Sequence, residues 1–262
     1  LMVAGDKFWL LSLARSLDDL ILHLRTNEPF IGTWLFKSVG DSEVAKKYDE
    51  FLQQNAPHWL VREISLYLKR VFKRLDVSSR SLITAIEPGS CFVGTLLELA
   101  LASDQVFMLQ GDFEEQPEQF ASIELTQQNF GVYPMVNGLT RLESRFINDH
   151  DHIAQLKSQI GSRLEAEQAD ELGLVTFTPD DIDWEDEIRL VLESRASFSP
   201  DALTGMEANL RFAGPETMES KIFSRLSAWQ NWIFQRPNAV GEKGALVLYG
   251  TGERPSFKKQ RV

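Results

Sequence analysis

The sequence predicts an α/β fold with a helical C-terminal region. Three observations carry this prediction. Helical and extended signals alternate between residues 8 and 108; a buried-looking run at 81–86 meets a glycine-marked turn and an apolar helix; and after residue 178 the extended signal nearly disappears. Such alternation favours parallel strands joined by right-handed crossovers.

Residues 8–24 place Leu10, Leu13, Leu17, Leu20 and Leu24 at helical spacing and stop before Asn27 and Pro29, which predicts an amphipathic helix. The run FIGTWLFKSV, 30–39, is aromatic and aliphatic between Pro29 and Gly40, and reads as a strand. A helix is predicted from about Ser42. A longer one follows at 58–75, with Leu60, Ile64, Leu68, Val71 and Leu75 as its stripe. Residues 81–86 then form a strand. The acidic loop GDFEEQPEQ, 111–119, leads to a short strand at 120–125. Helices are predicted at 183–194, 200–212 and 215–234, with Gly214 and Pro215 separating the last two; a final extended signal falls at 245–249. These divide the chain into an N-terminal helical segment, 1–29, an α/β core, 30–178, and a helical region, 179–262. Trp184, Trp229, Trp232 and Phe234 of the last region are expected to pack on their own core or on a sister subunit.

The chain has 262 residues, 43% of them hydrophobic and 25% charged, enough for a sizeable core. Its net charge of −11 argues against nucleic-acid binding. No apolar run is long enough for a membrane span, and the N-terminal residues lack the basic leader and cleavage site of a signal peptide. A leucine as first residue suggests that an upstream portion is missing. The single cysteine, Cys91, excludes an internal disulfide and a multi-cysteine zinc site, and suits a reducing cytoplasm.

The most informative stretch is 83–108, ITAIEPGSCFVGTLLELALASDQVFM. A helix starting near Gly94 or Thr95 leaves its first N–H groups without intrahelical acceptors, an arrangement that can stabilise an anionic oxygen. Glu98 is the only carboxylate between Glu87 and Asp104. It is either an acid or base lining a cavity or a complement to the helix dipole. Elsewhere, His150 and His152 flank Asp151 without an evident third metal ligand, so a solvated helix start is expected there. His23 reads as structural and His58 as a helix-start residue. Cys91 reads as a packed thiol, and Ser90 lacks the glycine-flanked elbow of a nucleophile.

The run TLLELALASDQVFM resembles the crotonase (enoyl-CoA hydratase/isomerase) superfamily, in which a glycine-rich turn precedes a helix of this wording. FGVYPMVNGLTRL at 130–142, ADELGLV at 169–175 and FQRPNAVGEKG at 234–244 match further family stretches in the same order. The resemblance implies a crotonase-like spiral core, a CoA thioester substrate, an oxyanion held by the Gly94 and Thr95 amides, and Glu98 as acid or base, with no metal or redox cofactor. Departures are also visible. The second carboxylate of the family's hydratases would fall at Gln127, with Glu124 three residues earlier. The oxyanion turn reads Val93, Gly94, Thr95 instead of several glycines. The partner loop survives only as Gly40 and Asp41 in SVGDSEV. Wording near the end, such as NWIFQRPNAVGEKGALVLYG, is similar to ring-opening lyases of aerobic benzoate degradation whose subunits contain two crotonase-like halves. That implies a homodimeric parent acting on 2,3-epoxybenzoyl-CoA and a missing N-terminal half. The departures favour a degenerate repeat over a pocket adapted to another reaction; a simple enoyl-CoA hydratase or isomerase would require a second carboxylate beside Glu98.

Overall fold

In the computed structural model, which describes residues 3–211 and 213–261, the chain enters through helix α1 (Trp9–Thr26) and strand β1 (Thr33–Phe36). Helices α2 (Ser42–Gln54) and α3 (Trp59–Asp76) return it to β2 (Ser81–Ile86); α4 (Gly94–Leu101) then leads to β3 (Gln105–Met108). The three strands are parallel in the order β1-β2-β3, with Leu35 opposite Ile83 and Thr84 opposite Val106. Every residue of β2 is buried, because the strand is central and covered on both faces.

The layer continues past the strands. Phe107 bridges Phe177 in parallel, and β4 (Ile123–Glu124) both bridges Val93 through Glu124 and pairs antiparallel with β5 (Arg163–Leu164). These links bring the start of α4 against the second, smaller sheet. Helices α5 (Arg141–Arg145), α6 (His150–Ser158) and α7 (Ala166–Glu171) surround it. Gly173, with a φ of +65°, ends α7, and Leu174 N–H donates to the Ala169 carbonyl. Beyond it come α8 (Trp184–Ser197), α9 (Pro200–Leu210), α10 (Met218–Lys221), a π-helical stretch (Ile222–Leu226), α11 (Ser227–Ile233) and α12 (Pro237–Val240).

One hydrophobic cluster joins α1, α3 and the outer face of β2 through Leu10, Ile64, Leu68, Phe72 and Leu82. A second joins β2, α4, β3, α7 and Trp184 of α8. Packing therefore runs across both boundaries read in the sequence, near 29 and near 178.

Several expectations are corrected. The buried face of α1 is Leu10, Ala14, Asp18 and Ile21, and Leu20 is half-exposed. The helix turns this way because Asp18 meets α3, accepting from Tyr67 Oη at 3.2 Å and facing Arg74 Nε at 2.6 Å. The strand at 30–39 is only Thr33–Phe36, since Phe30 and Val39 are exposed outside the pairing with β2. The strand at 120–125 shortens to Ile123–Glu124, the two residues that pair with β5. Residues 245–249 do not pair: Leu248 N–H turns back to Gly244 O, and Leu246, Val247 and Tyr249 are exposed. The helix read at 200–212 ends at Leu210, with Phe212 outside the described residues.

Candidate active site around Glu98

Helix α4 sits where the sequence places it. Val93 is extended, Gly94 takes a φ of +48°, and the helix then runs to Leu101. Gly94 is required there, because a Cβ would stand 2.0 Å from Asp49 Oδ2 and 2.6 Å from Thr126 Oγ1. Those neighbours fill the space beside the Gly94 Cα.

Asp49 reaches the helix start from α2. Thr95 N–H donates to Asp49 Oδ2 at 2.8 Å, and Thr95 Oγ1 donates to Asp49 Oδ1. Tyr133 Oη lies 3.1 Å from Thr95 Oγ1, and Gln128 Nε2 donates to the Asp49 carbonyl at 3.2 Å. An internal carboxylate thus takes the position that the helix N-terminus offers to an anion. Burial pushes the Asp49 carboxyl up to about 6, opposed by the hydrogen bonds from Thr95.

Glu98 lies one turn further along α4, 2% exposed. Oε1 accepts from Asn129 Nδ2 at 2.8 Å and Oε2 from Arg141 Nη1 at 2.6 Å. The same Arg141 nitrogen donates to Tyr133 O at 3.0 Å. Its Nη2 donates to both oxygens of Asp76, at 2.9 and 3.0 Å. Asp76, Arg141 and Glu98 therefore form a buried charge triad linking the end of α3, the start of α5 and the middle of α4. Burial pushes the Glu98 carboxyl above the usual range, while Arg141 and Asn129 pull it back. Burial also works against the charge of Arg141, and the Glu98 and Asp76 carboxylates offset this and raise its pKa. Each Glu98 oxygen thus accepts one hydrogen bond from a side chain, in a setting closed to solvent.

The remaining sequence candidates are engaged by other partners. Glu124 Oε2 pairs with Lys46 Nζ at 3.0 Å, and Lys46 is shared with Glu43 at 2.6 Å. Gln127 is exposed, whereas its neighbours Gln128 and Asn129 turn inward to Asp49 and Glu98. Asp41 caps α2 by accepting from Glu43 N–H and Val44 N–H, and Gly40 N–H donates to Gly89 O. His58 caps α3 by accepting from Leu60 N–H, His23 faces Glu28, and His152 Nε2 meets Leu172 O. Cys91 is buried, and Ser90 Oγ accepts from Glu87 N–H. Among the described residues, no three His, Cys, Asp or Glu side chains are grouped to hold a metal ion, and no helix is long and apolar enough to cross a membrane.

Four residues at the centre of this site, Asp49, Asp76, Asn129 and Arg141, were not singled out in the sequence. Asp49 had a signal: it shares the buried face of α2 with Ala45 and Leu52, a carboxylate at an apolar position. Asp76 likewise ends the buried stripe of α3. Arg141 stood inside a motif but was not assigned a role.

The fold belongs to a known architecture, the crotonase fold. Over 95% of this chain it superposes on an enoyl-CoA hydratase from Geobacillus kaustophilus, with TM-score 0.68, 17% identity and 87% of that chain covered. A second enoyl-CoA hydratase, from Bacillus anthracis, superposes with TM-score 0.65 and 18% identity, covering 95% of this chain and 90% of the other. No family model matches the sequence. Benzoyl-CoA-dihydrodiol lyase from Aromatoleum evansii is 52% identical over 258 residues, which is 98% of this chain. The match lies on the C-terminal half of that enzyme, so the chain spans 46% of its curated relative's length.

Proposed function

We propose that this chain is the supporting crotonase-like repeat of a lyase that opens the ring of 2,3-epoxybenzoyl-CoA, releasing formate and an aliphatic semialdehyde CoA thioester. The reaction class rests on the similarity to benzoyl-CoA-dihydrodiol lyase across nearly the whole chain. The supporting role rests on one observation: Asp49 Oδ2 accepts from Thr95 N–H at 2.8 Å. Binding a thioester oxyanion there would require expelling a carboxylate. Both would claim the same amide, and two negative oxygens in a buried site repel strongly.

The geometry around Glu98 supports the same reading. A general acid or base must reach the proton it moves, and Glu98 is instead closed between Asn129 and Arg141. The hydratase alternative loses its second carboxylate to Lys46. In this proposal the chemistry resides in an N-terminal half, in the cytoplasm and in a homodimer. The oxyanion turn of this half has become a packing element that fixes α2 against α4.

The test is formate release from 2,3-epoxybenzoyl-CoA by the full-length protein containing this chain and by its Glu98→Gln variant, per mole of folded protein. The proposal predicts turnover within about twofold of the parent, because a residue outside the reaction removes no transition-state stabilisation. A loss of about a hundredfold or more, with the variant still folded by circular dichroism, would return Glu98 to the mechanism.

A further inference from the structure

A cavity of about 670 Å³ opens between the C-terminal ends of α1 and α3 and the helices α9 and α11. Its walls include Arg25, Arg74, Arg80, Thr204, Trp229 and Trp232, and no carboxylate lines it. This is unusual in a chain of net charge −11. Helix ends attract cations, which explains why Arg25 and Arg74 sit in last turns. Arg74, however, is already paired with Asp18 at 2.6 Å.

Arg80 and Arg25 are not so satisfied. Arg80 is only 6% exposed, yet its Nε has no partner and Nη1 reaches only the neighbouring Ser79 carbonyl at 3.1 Å. A guanidinium out of water is costly unless its donors and charge are matched. Burial, with Arg261 and Arg25 nearby, pulls its pKa down to about 10, against a smaller opposing effect of the Glu207 carboxyl. Arg25 has no hydrogen bond or ion pair among the described residues and is half-buried beside the cavity. In another cavity, Arg141 and Arg211 meet Asp76 and Asp104, whereas Arg145 of the same lining reaches only backbone carbonyls.

We propose that this cavity is a binding site for a phosphorylated ligand carrying a flat ring, the chemistry of a nucleotide, with Arg25 and Arg80 on the phosphate and the tryptophans on the ring. Arginine donors match phosphate oxygens in a fixed fork. Trp229 and Trp232 stand edge to face at 5.4 Å, and the Arg236 guanidinium covers the Trp232 ring at 5.2 Å, so the aromatic wall is held in place. The volume lies within the usual range for small-molecule sites of about 300–1,000 Å³.

The test is a titration of the chain with ADP, followed by calorimetry and by tryptophan fluorescence, with inorganic phosphate as competitor. The site predicts saturable binding, displaced by phosphate and weakened about tenfold or more by Arg25→Gln, about 1.4 kcal/mol or more. Arg25 is half-buried without a partner, so this variant keeps the parent's melting temperature; Arg80→Gln, which removes a buried group, serves as the second variant. Absence of saturable ADP binding, or binding of equal strength in parent and Arg25→Gln, would overturn the assignment.

Discussion

Arg141 Nη1 stands 2.6 Å from Glu98 Oε2, and the two side chains are only 2% and 3% exposed. The same guanidinium holds Asp76 by two bonds, so one cation serves two buried carboxylates. Replacing it leaves both charges without a partner. Arg141→Gln is expected to lower unfolding free energy by about 3–5 kcal/mol, measured by urea denaturation at pH 7. A loss below about 1 kcal/mol would mean that the triad contributes little to folding.

Gly94→Ala tests how closely the helix start is filled. The new Cβ would meet Asp49 and Thr126, in a backbone conformation that side chains disfavour. A cost of about 2–4 kcal/mol is expected from overpacking and strain together. A variant as stable as the parent would show that Asp49 moves aside freely, and the argument from occupancy would fail.

Asp49 gives a pH dependence of defined sign. Its folded pKa of about 6 lies above the ordinary 3.8, so the native state holds this proton more tightly than the unfolded chain. The resulting stabilisation is fully present below about pH 4 and is lost as pH rises through about 6, some 2–3 kcal/mol in all. Asp49→Asn cannot ionise. The stability difference, parent minus variant, should therefore fall by about this amount between pH 4 and pH 7.5. A difference that stays flat over that window would contradict the burial argument.

Tyr133→Phe probes the outer contact of the same cluster. Tyr133 Oη lies 3.1 Å from Thr95 Oγ1 in a fully buried setting, and burial pushes its pKa upward. Removing the hydroxyl is expected to cost about 1 kcal/mol in thermal or urea unfolding, because Thr95 keeps its bond to Asp49. A cost above about 3 kcal/mol would make the tyrosine, and not the aspartate, the main support of Thr95.

Much of the architecture was legible because its elements repeat at simple periods. The strand at Ser81–Ile86 and the start of α4 at Gly94 appear where apolar runs and glycine place them. Strand ends were less legible: pairing with a neighbour, absent from local sequence, decides where β1 and β4 stop. Helix rotation was misread where a buried charge replaces an apolar residue, as at Asp18 of α1. Similar reasoning explains the site. Glu98, Gly94 and Thr95 are neighbours in sequence and stood out together, whereas Asp49, Asp76, Asn129 and Arg141 come from four separate segments and meet only in the fold.

The central claim is that the N-terminal amide of α4 is committed to Asp49 and is closed to a thioester oxygen. The measurement that tests it most directly is the nuclear magnetic resonance shift of the Thr95 amide, followed through a pH series and through a titration with benzoyl-CoA. The account predicts a shift that follows the Asp49 carboxyl with a midpoint near 6 and stays unchanged as benzoyl-CoA is added. A saturable movement of that amide with benzoyl-CoA would contradict it and restore the helix start as a substrate site.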